Sequence, residues 1–269
     1  MTLYVGIGGL GAIGLTVAKA VDQCQIPGLA LGAVASRDKV KAARQIADFE
    51  NITRVVERAQ LAQLADVVVE AAPAAAFGSI AYPAVEAGRV LIPASAGQLL
   101  ERPDLLAQAG RTGARIIVPT GALLGLDAVR AANEGHIECV TMETRKPPNG
   151  LAGAPYLVAN AIAVDGLKEP LLVFDGTARA AARGFPANVN VAAALSLAGI
   201  GADRTRIKIW ADPTVSRNTH TIKVEADSVR FEMKIENVPS LQNPRTGKLT
   251  PLSVLATLRA LVAPVKAGT

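Results

Sequence analysis

Short apolar runs alternate with turn residues from the start of the chain to about residue 120. Residues 3–8 (Leu-Tyr-Val-Gly-Ile-Gly) read as a buried strand. The stretch from Ala12 to Cys24 reads as a helix with Ile13, Val17, Ala20 and Val21 on its inner face. Pro27-Gly28 ends that helix, and Leu29 to Ala35 forms a second apolar strand. Further strands are predicted over 67–70, 90–93 and 115–119, and helices over 39–49, 74–87 and 102–111. Strand and helix alternating through short connections predict a parallel, doubly wound sheet of the Rossmann type, closing near residue 120.

Past that point the rhythm changes. A longer strand is predicted over 137–145, followed by the turn Lys146-Pro147-Pro148-Asn149-Gly150. Helical patterns occupy 177–183 and 189–198, and three strand patterns follow at 206–211, 219–225 and 229–237. Clustered strands with helices to one side predict a second, α+β domain. A polar loop spans 239–248, and a last helix runs over 250–262. The expected organisation is a dinucleotide-type domain over 1–120, an α+β domain over 121–248, and a C-terminal helix in 249–269 that packs back on the first domain.

Composition narrows the classes. Half of the 269 residues are hydrophobic and 19% are charged, which argues against disorder. Aromatics are only 3%, so the core must be built from Ala, Val, Leu and Ile, as helices packed on a buried parallel sheet require. The net charge of +5 comes without a basic block or aromatic–basic interleaving, so nucleic acid is not an expected partner, whereas small anions are. Cys24 and Cys139 stand far apart with no metal-ligand spacing, so neither a metal site nor a disulfide framework is expected, and the setting reads as reducing and cytoplasmic. Asp66 and Glu70 interrupt the most apolar run, and no membrane span or leader is read.

The first chemistry lies between the first strand and the first helix, in Gly9-Leu10-Gly11-Ala12-Ile13-Gly14. The first glycine permits a tight turn, the second lets backbone approach a pyrophosphate, and the third lets helix and strand pack closely. The helix N-terminus then offers N–H groups to the phosphates, with Ala12 and Ile13 in its first turn. Strand before, helix after and a second strand downstream make this a dinucleotide site. At the end of that second strand stand Ser36 and Arg37, suited to the 2′-phosphate of NADP, followed by Asp38, which suits the ribose of NAD. NAD and NADP both remain open.

Several segments of the second half are not ordinary packing patterns. They are Pro119-Thr120-Gly121-Ala122-Leu123-Leu124-Gly125-Leu126-Asp127-Ala128, Thr144-Arg145-Lys146-Pro147-Pro148, Phe174-Asp175-Gly176-Thr177-Ala178-Arg179, Phe185-Pro186-Ala187-Asn188-Val189-Asn190-Val191-Ala192, Ala211-Asp212-Pro213, Asn218-Thr219-His220, and Glu236-Asn237-Val238-Pro239-Ser240 with Asn243-Pro244-Arg245-Thr246. With the glycine turn, and in this order, they resemble the L-aspartate dehydrogenase family over essentially the whole chain. The resemblance implies NAD(P)-dependent oxidative deamination of L-aspartate to iminosuccinate, which hydrolyses to oxaloacetate and ammonia or feeds NAD biosynthesis. It places the catalytic histidine at His220 and cofactor contacts at Ala122 and Asn190. Thr120 stands where serine is usual, and Ser36 where an acid often stands.

The residues themselves leave some roles open. His220 shares a strand face with Asn218, Ile222 and Val224, and is either a buried structural histidine or an acid/base of near-neutral pKa. A dicarboxylate needs cations, and Arg145 and Lys146 end a strand where they either reach a cleft or remain solvated. Asn188 is a substrate ligand or a helix N-cap, and Asn190 is poorly suited to a helix interior, which favours a ligand role. The competing expectations are a related NAD(P) reductase of another amino acid, imine or semialdehyde, and a dinucleotide sensor without turnover. A homodimer is expected by analogy.

Overall fold

The computed structural model describes residues 2–51, 53–186, 190–240 and 247–268. The chain divides into two compact units, Met1–Pro119 with Thr250–Lys266, and Thr120–Leu249 with Ala267–Thr269.

The first unit begins β1 (Leu3–Gly8), α1 (Ala12–Asp22), β2 (Leu29–Ala35), α2 (Lys39–Gln45) and β3 (Arg54–Val56). It continues α3 (Leu61–Leu64), β4 (Val67–Glu70), α4 (Phe77–Glu86), β5 (Val90–Pro93), α5 (Pro103–Thr112) and β6 (Arg115–Ile116). All six strands are parallel, in the order β3-β2-β1-β4-β5-β6. Strand order therefore reverses between β1 and β4, the switch point at which open parallel sheets bind ligands. One face packs Val5, Ile7, Val67 and Val69 against Val17, Val21, Val254 and Leu258. The other packs Ala33, Val68 and Leu91 against Phe77, Ile80, Ala84 and Leu105. Burial on both faces is why these strands are unbroken apolar runs.

The second unit contains α6 (Leu126–Asn133), β7 (Ile137–Lys146), α7 (Pro155–Ala159), β8 (Leu171–Thr177), α8 (Ala178–Gly184), α9 (Asn190–Ala198), β9 (Arg206–Ala211), β10 (Thr219–Ala226) and β11 (Arg230–Glu236). The last helix, α10 (Leu249–Val262), returns to the first unit, where Arg259 donates to the carbonyl of Gln25 at 2.9 Å. The second sheet has the order β11-β10-β7-β9-β8. Only β7 and β9 run parallel, and the other pairs are antiparallel. The doubly wound sheet with a separate α+β unit is thus the architecture expected from the alternation of elements.

Three groups of elements escaped the pattern reading. The strand β3 and the short α3 lie in a polar stretch and find their partners in the neighbouring strands, α2 and α4. Helix α7, with five residues, is too short to display a periodicity, whereas α6 carries Leu126, Val129 and Ala132 at helical spacing that the pattern reading passed over. Strand β8 lies at the sheet edge with its first two leucines exposed, so it shows no alternation. The helix expected over 39–49 stops at Gln45.

Candidate functional sites in the two units

The glycine turn of the first unit has the shape of a phosphate cradle. Gly9 adopts φ +102°, open to glycine alone at little cost, and its amide donates to the carbonyl of Ala35 at 2.7 Å. A Cβ on Gly14 would lie 1.8 Å from the Gly9 carbonyl oxygen, so helix and turn touch backbone to backbone there. A Cβ on Gly11 would meet nothing within 4 Å, so the space beside it is open. Helix α1 starts at Ala12 with no side-chain cap on Gly11 and no acid in its first turn. Its leading amides and dipole end are left for an anion. These are the features a dinucleotide pyrophosphate requires, and the residues fit it.

Beyond β2, Ser36 is half-buried and Arg37 exposed. Asp38 caps α2 by accepting the amide of Lys41 at 2.9 Å. Its carboxylate is engaged with the helix, which leaves the end of β2 to Ser36 and Arg37.

One group of this unit went unread in the sequence. Glu70, at the end of β4, is fully buried. It accepts the amide of Ala72 at 2.9 Å and the amide and hydroxyl of Ser95 at 3.1 and 3.2 Å. Burial pushes its carboxyl up to about 7, against the pull of the Ser95 and Ala72 amides. Glu70 ties the loops after β4 and β5 together, and the first of these touches Gly9 through Ala71 and Ala72. The available signal was an acid closing an otherwise apolar strand.

The second unit places its chemistry at one end of its sheet. Cross-strand register pairs Val224 with Val140, Ile222 with Met142 and His220 with Thr144. On the other side of β7, Met142, Thr144 and Lys146 pair with Ile207, Ile209 and Ala211. These residues share one buried face, apolar at one end and polar at the other. At the polar end Thr144 Oγ1 and His220 Nδ1 share a hydrogen bond of 3.0 Å. Lys146 follows two residues along the same face and is only 5% exposed. Burial drives the His220 ring down to about 3, aided by the positive charge of Lys146, and burial brings Lys146 down to about 8. The ring is therefore neutral across the physiological range, and the amine is the group that titrates near it.

Arg145, next along β7, faces the other side. Its guanidinium donates to Glu143 at 2.8 Å and to Asp212 at 3.0 Å, and it stacks 4.7 Å over the ring of Trp210. Burial works against the charge on Asp212, but hydrogen bonds from Thr214 and Arg145 outweigh it and hold the carboxyl below its usual range. The structure thus separates Arg145 from Lys146 and brings Lys146 together with His220.

The remaining expected site residues stand on other segments of the chain. Ala122 follows Gly121, at φ +65°, and its carbonyl accepts the side-chain amide of buried Asn237 at 3.2 Å. Asn190 opens α9 and is exposed. Asn188 lies outside the described residues. No group of three or more potential metal ligands occurs among the described residues. None of the described helices is long and apolar enough to cross a membrane.

Comparison with known proteins adds to this geometry. Residues 9–119 match the family model of the homoserine dehydrogenase NAD-binding domain, and residues 127–261 that of the aspartate dehydrogenase C-terminal region. The chain is 52% identical to L-aspartate dehydrogenase 3 of Bordetella bronchiseptica, covering 99% of this chain and 98% of the relative. It is 54% identical to an L-aspartate dehydrogenase of Bradyrhizobium diazoefficiens, over 99% and 94% respectively. Among solved structures it is similar to aspartate dehydrogenase from Thermotoga maritima, with a TM-score of 0.75, 25% identity and all of both chains covered.

Proposed function

Because the chain belongs to the L-aspartate dehydrogenase family, an NAD(P)-dependent oxidoreductase family, we propose that it deaminates L-aspartate oxidatively to iminosuccinate. Water then converts the imine to oxaloacetate and ammonia, and the reverse is a reductive amination. The observation that carries this reading is the buried Thr144–His220–Lys146 cluster, which supplies a neutral imidazole and an amine that titrates near 8 on one face.

The dinucleotide would be held by the Gly9–Gly14 turn, with the amides of Ala12 and Ile13 toward the pyrophosphate and Ala122 and Asn190 as contacts implied by the family. When bound, it accepts a hydride from the substrate Cα. The rest is work for the chain's own side chains. An amino dicarboxylate brings two negative charges and an ammonium that must lose a proton before an imine can form. Lys146 attracts a carboxylate while protonated, and His220 faces the reacting nitrogen or its neighbouring carboxylate. Arg145 is held by Glu143 and Asp212, so its part is to stiffen the strand that carries Lys146. Ser36 and Arg37 favour use of NADP beside NAD, because Asp38 is engaged with α2.

The test is L-aspartate-dependent reduction of NAD and of NADP, followed side by side by nicotinamide absorbance. Turnover with aspartate, and its loss in His220→Ala with dinucleotide binding retained, is the expected result. An active His220→Ala would remove His220 from the reaction. Preference for another amino acid would move the substrate assignment.

A further inference from the structure

The Thr144 hydroxyl restricts what His220 can do. A buried hydroxyl has one hydrogen to donate, and withholding it costs about 1–3 kcal/mol. Among the described residues, the partner of Thr144 Oγ1 is Nδ1 of His220. Donation in the opposite sense, from Nδ1–H to Oγ1, would leave the hydroxyl hydrogen with no acceptor among those residues. The favoured arrangement is therefore Thr144 Oγ–H donating to a bare Nδ1. In a neutral imidazole the proton then resides on Nε2. Burial and the neighbouring Lys146 charge both keep the ring neutral.

We propose that Thr144 is a positioning residue that holds His220 in its Nε2–H form, so that His220 meets the substrate as a hydrogen-bond donor and not as its proton acceptor. The proposal rests on the reading that His220 faces the substrate. A neutral ring whose single lone pair is occupied by Thr144 has nothing with which to remove a proton from the substrate ammonium. Its Nε2–H instead suits a carboxylate oxygen or the nitrogen of the free amine. Lys146, on the same face, is the group placed to take the proton. The substrate N–H bond breaks, a bond from that proton to the Lys146 amine forms, and the Cα–H electron pair leaves as hydride to the nicotinamide. The hydroxyl thus decides which of two neighbouring basic groups acts as the base.

The chain has two histidines, His136 and His220, so the ring can be observed directly. Full-length protein labelled with 15N-histidine would be recorded by long-range 1H–15N correlation, with His136→Gln used to assign the two rings. A protonated Nε2 and bare Nδ1 for His220 are expected at neutral pH. Thr144→Val should shift the ring toward a mixture of tautomers and lower kcat about tenfold, the worth of one lost hydrogen bond. KM for the dinucleotide should stay unchanged, and Thr144→Ser should restore both spectrum and rate. A protonated Nδ1 in the unmodified protein overturns the proposal, as does a Thr144→Val protein with unchanged spectrum and kcat. If Thr144→Val does not fold, the spectra of the unmodified and Thr144→Ser proteins decide. An active His220→Ala would overturn the catalytic reading alone, whereas a protonated Nδ1 with an inactive His220→Ala would overturn only the role given to Thr144.

Discussion

Gly11 and Gly14 stand three residues apart in one turn and answer to different demands. The Cβ of Gly14→Ala would meet a backbone oxygen at 1.8 Å, and backbone cannot move aside cheaply. That substitution is expected to destabilise the first unit by about 2–4 kcal/mol, measured by chemical denaturation. Gly11→Val points its side chain into open space, so the fold should tolerate it while dinucleotide affinity falls at least about tenfold, because that space is where a phosphate must come. Equal effects of the two changes on stability would refute this division. Lys146 yields a kinetic expectation. Its amine form dominates above about 8, so deamination should accelerate as pH rises through that value, and Lys146→Met should lose this limb of the profile.

At the scale of the element, β7 has two working faces. One presents Thr144 and Lys146, and the other presents Arg145, paired with Glu143, to Trp210 on β9 and to Asp212 just after it. Asp212 also accepts the amide and hydroxyl of Thr214 and donates its own amide to the Lys146 carbonyl at 2.8 Å. This brace fixes the end of β7 just where Lys146 sits. Removing the cation by Arg145→Met leaves a buried carboxylate with fewer donors. A loss of about 1–2 kcal/mol is expected, less than for a sealed pair because Arg145 is one-third exposed. The change should lower kcat by displacing Lys146, and full activity at reduced stability would show that the brace serves the fold only. A strand's period of two was readable in the sequence, and it puts Thr144 and Lys146 on one face and Arg145 on the other; which of the two faces is buried was not. That choice depended on register with β9 and β10, which adjacent-residue patterns do not contain.

For the whole molecule, buried ionisable groups in the two units set opposing pH dependences. Folded His220 binds its proton only near pH 3 against an ordinary 6.5, so the unfolded chain holds more protons between these values, and this contribution to stability is lost as pH falls through that window. Glu70 is raised from 4.5 to about 7, so the folded chain holds the extra proton there, and its contribution is lost as pH rises through that window. In a single cooperative transition the two slopes oppose each other from about 4.5 to 6.5, and stability should be nearly flat. Below 4.5 Glu70 no longer opposes His220, and the depressed carboxyl of Asp212 adds a slope of the same sign, so stability should drop steeply. Urea denaturation across pH checks this. Glu70→Gln should unmask a rise with pH over the flat region, and His220→Gln should unmask a fall; two variants with unchanged profiles would contradict the assignment.

Local patterns in the sequence determined the doubly wound sheet, the glycine turn and the family to which the chain belongs. Each rests on short-range regularities: unbroken apolar strands, glycines at fixed spacing and ordered motifs. They also pointed to His220, Lys146 and Arg145 as a set. Only the tertiary structure divided that set, bringing Lys146 within electrostatic reach of His220 and committing Arg145 to Glu143 and Asp212. It likewise replaced the expected near-neutral imidazole with a neutral ring held by Thr144, a partner 76 residues away. Protonation depends on burial and on neighbours brought close through space, and neither is written in the order of residues along the chain.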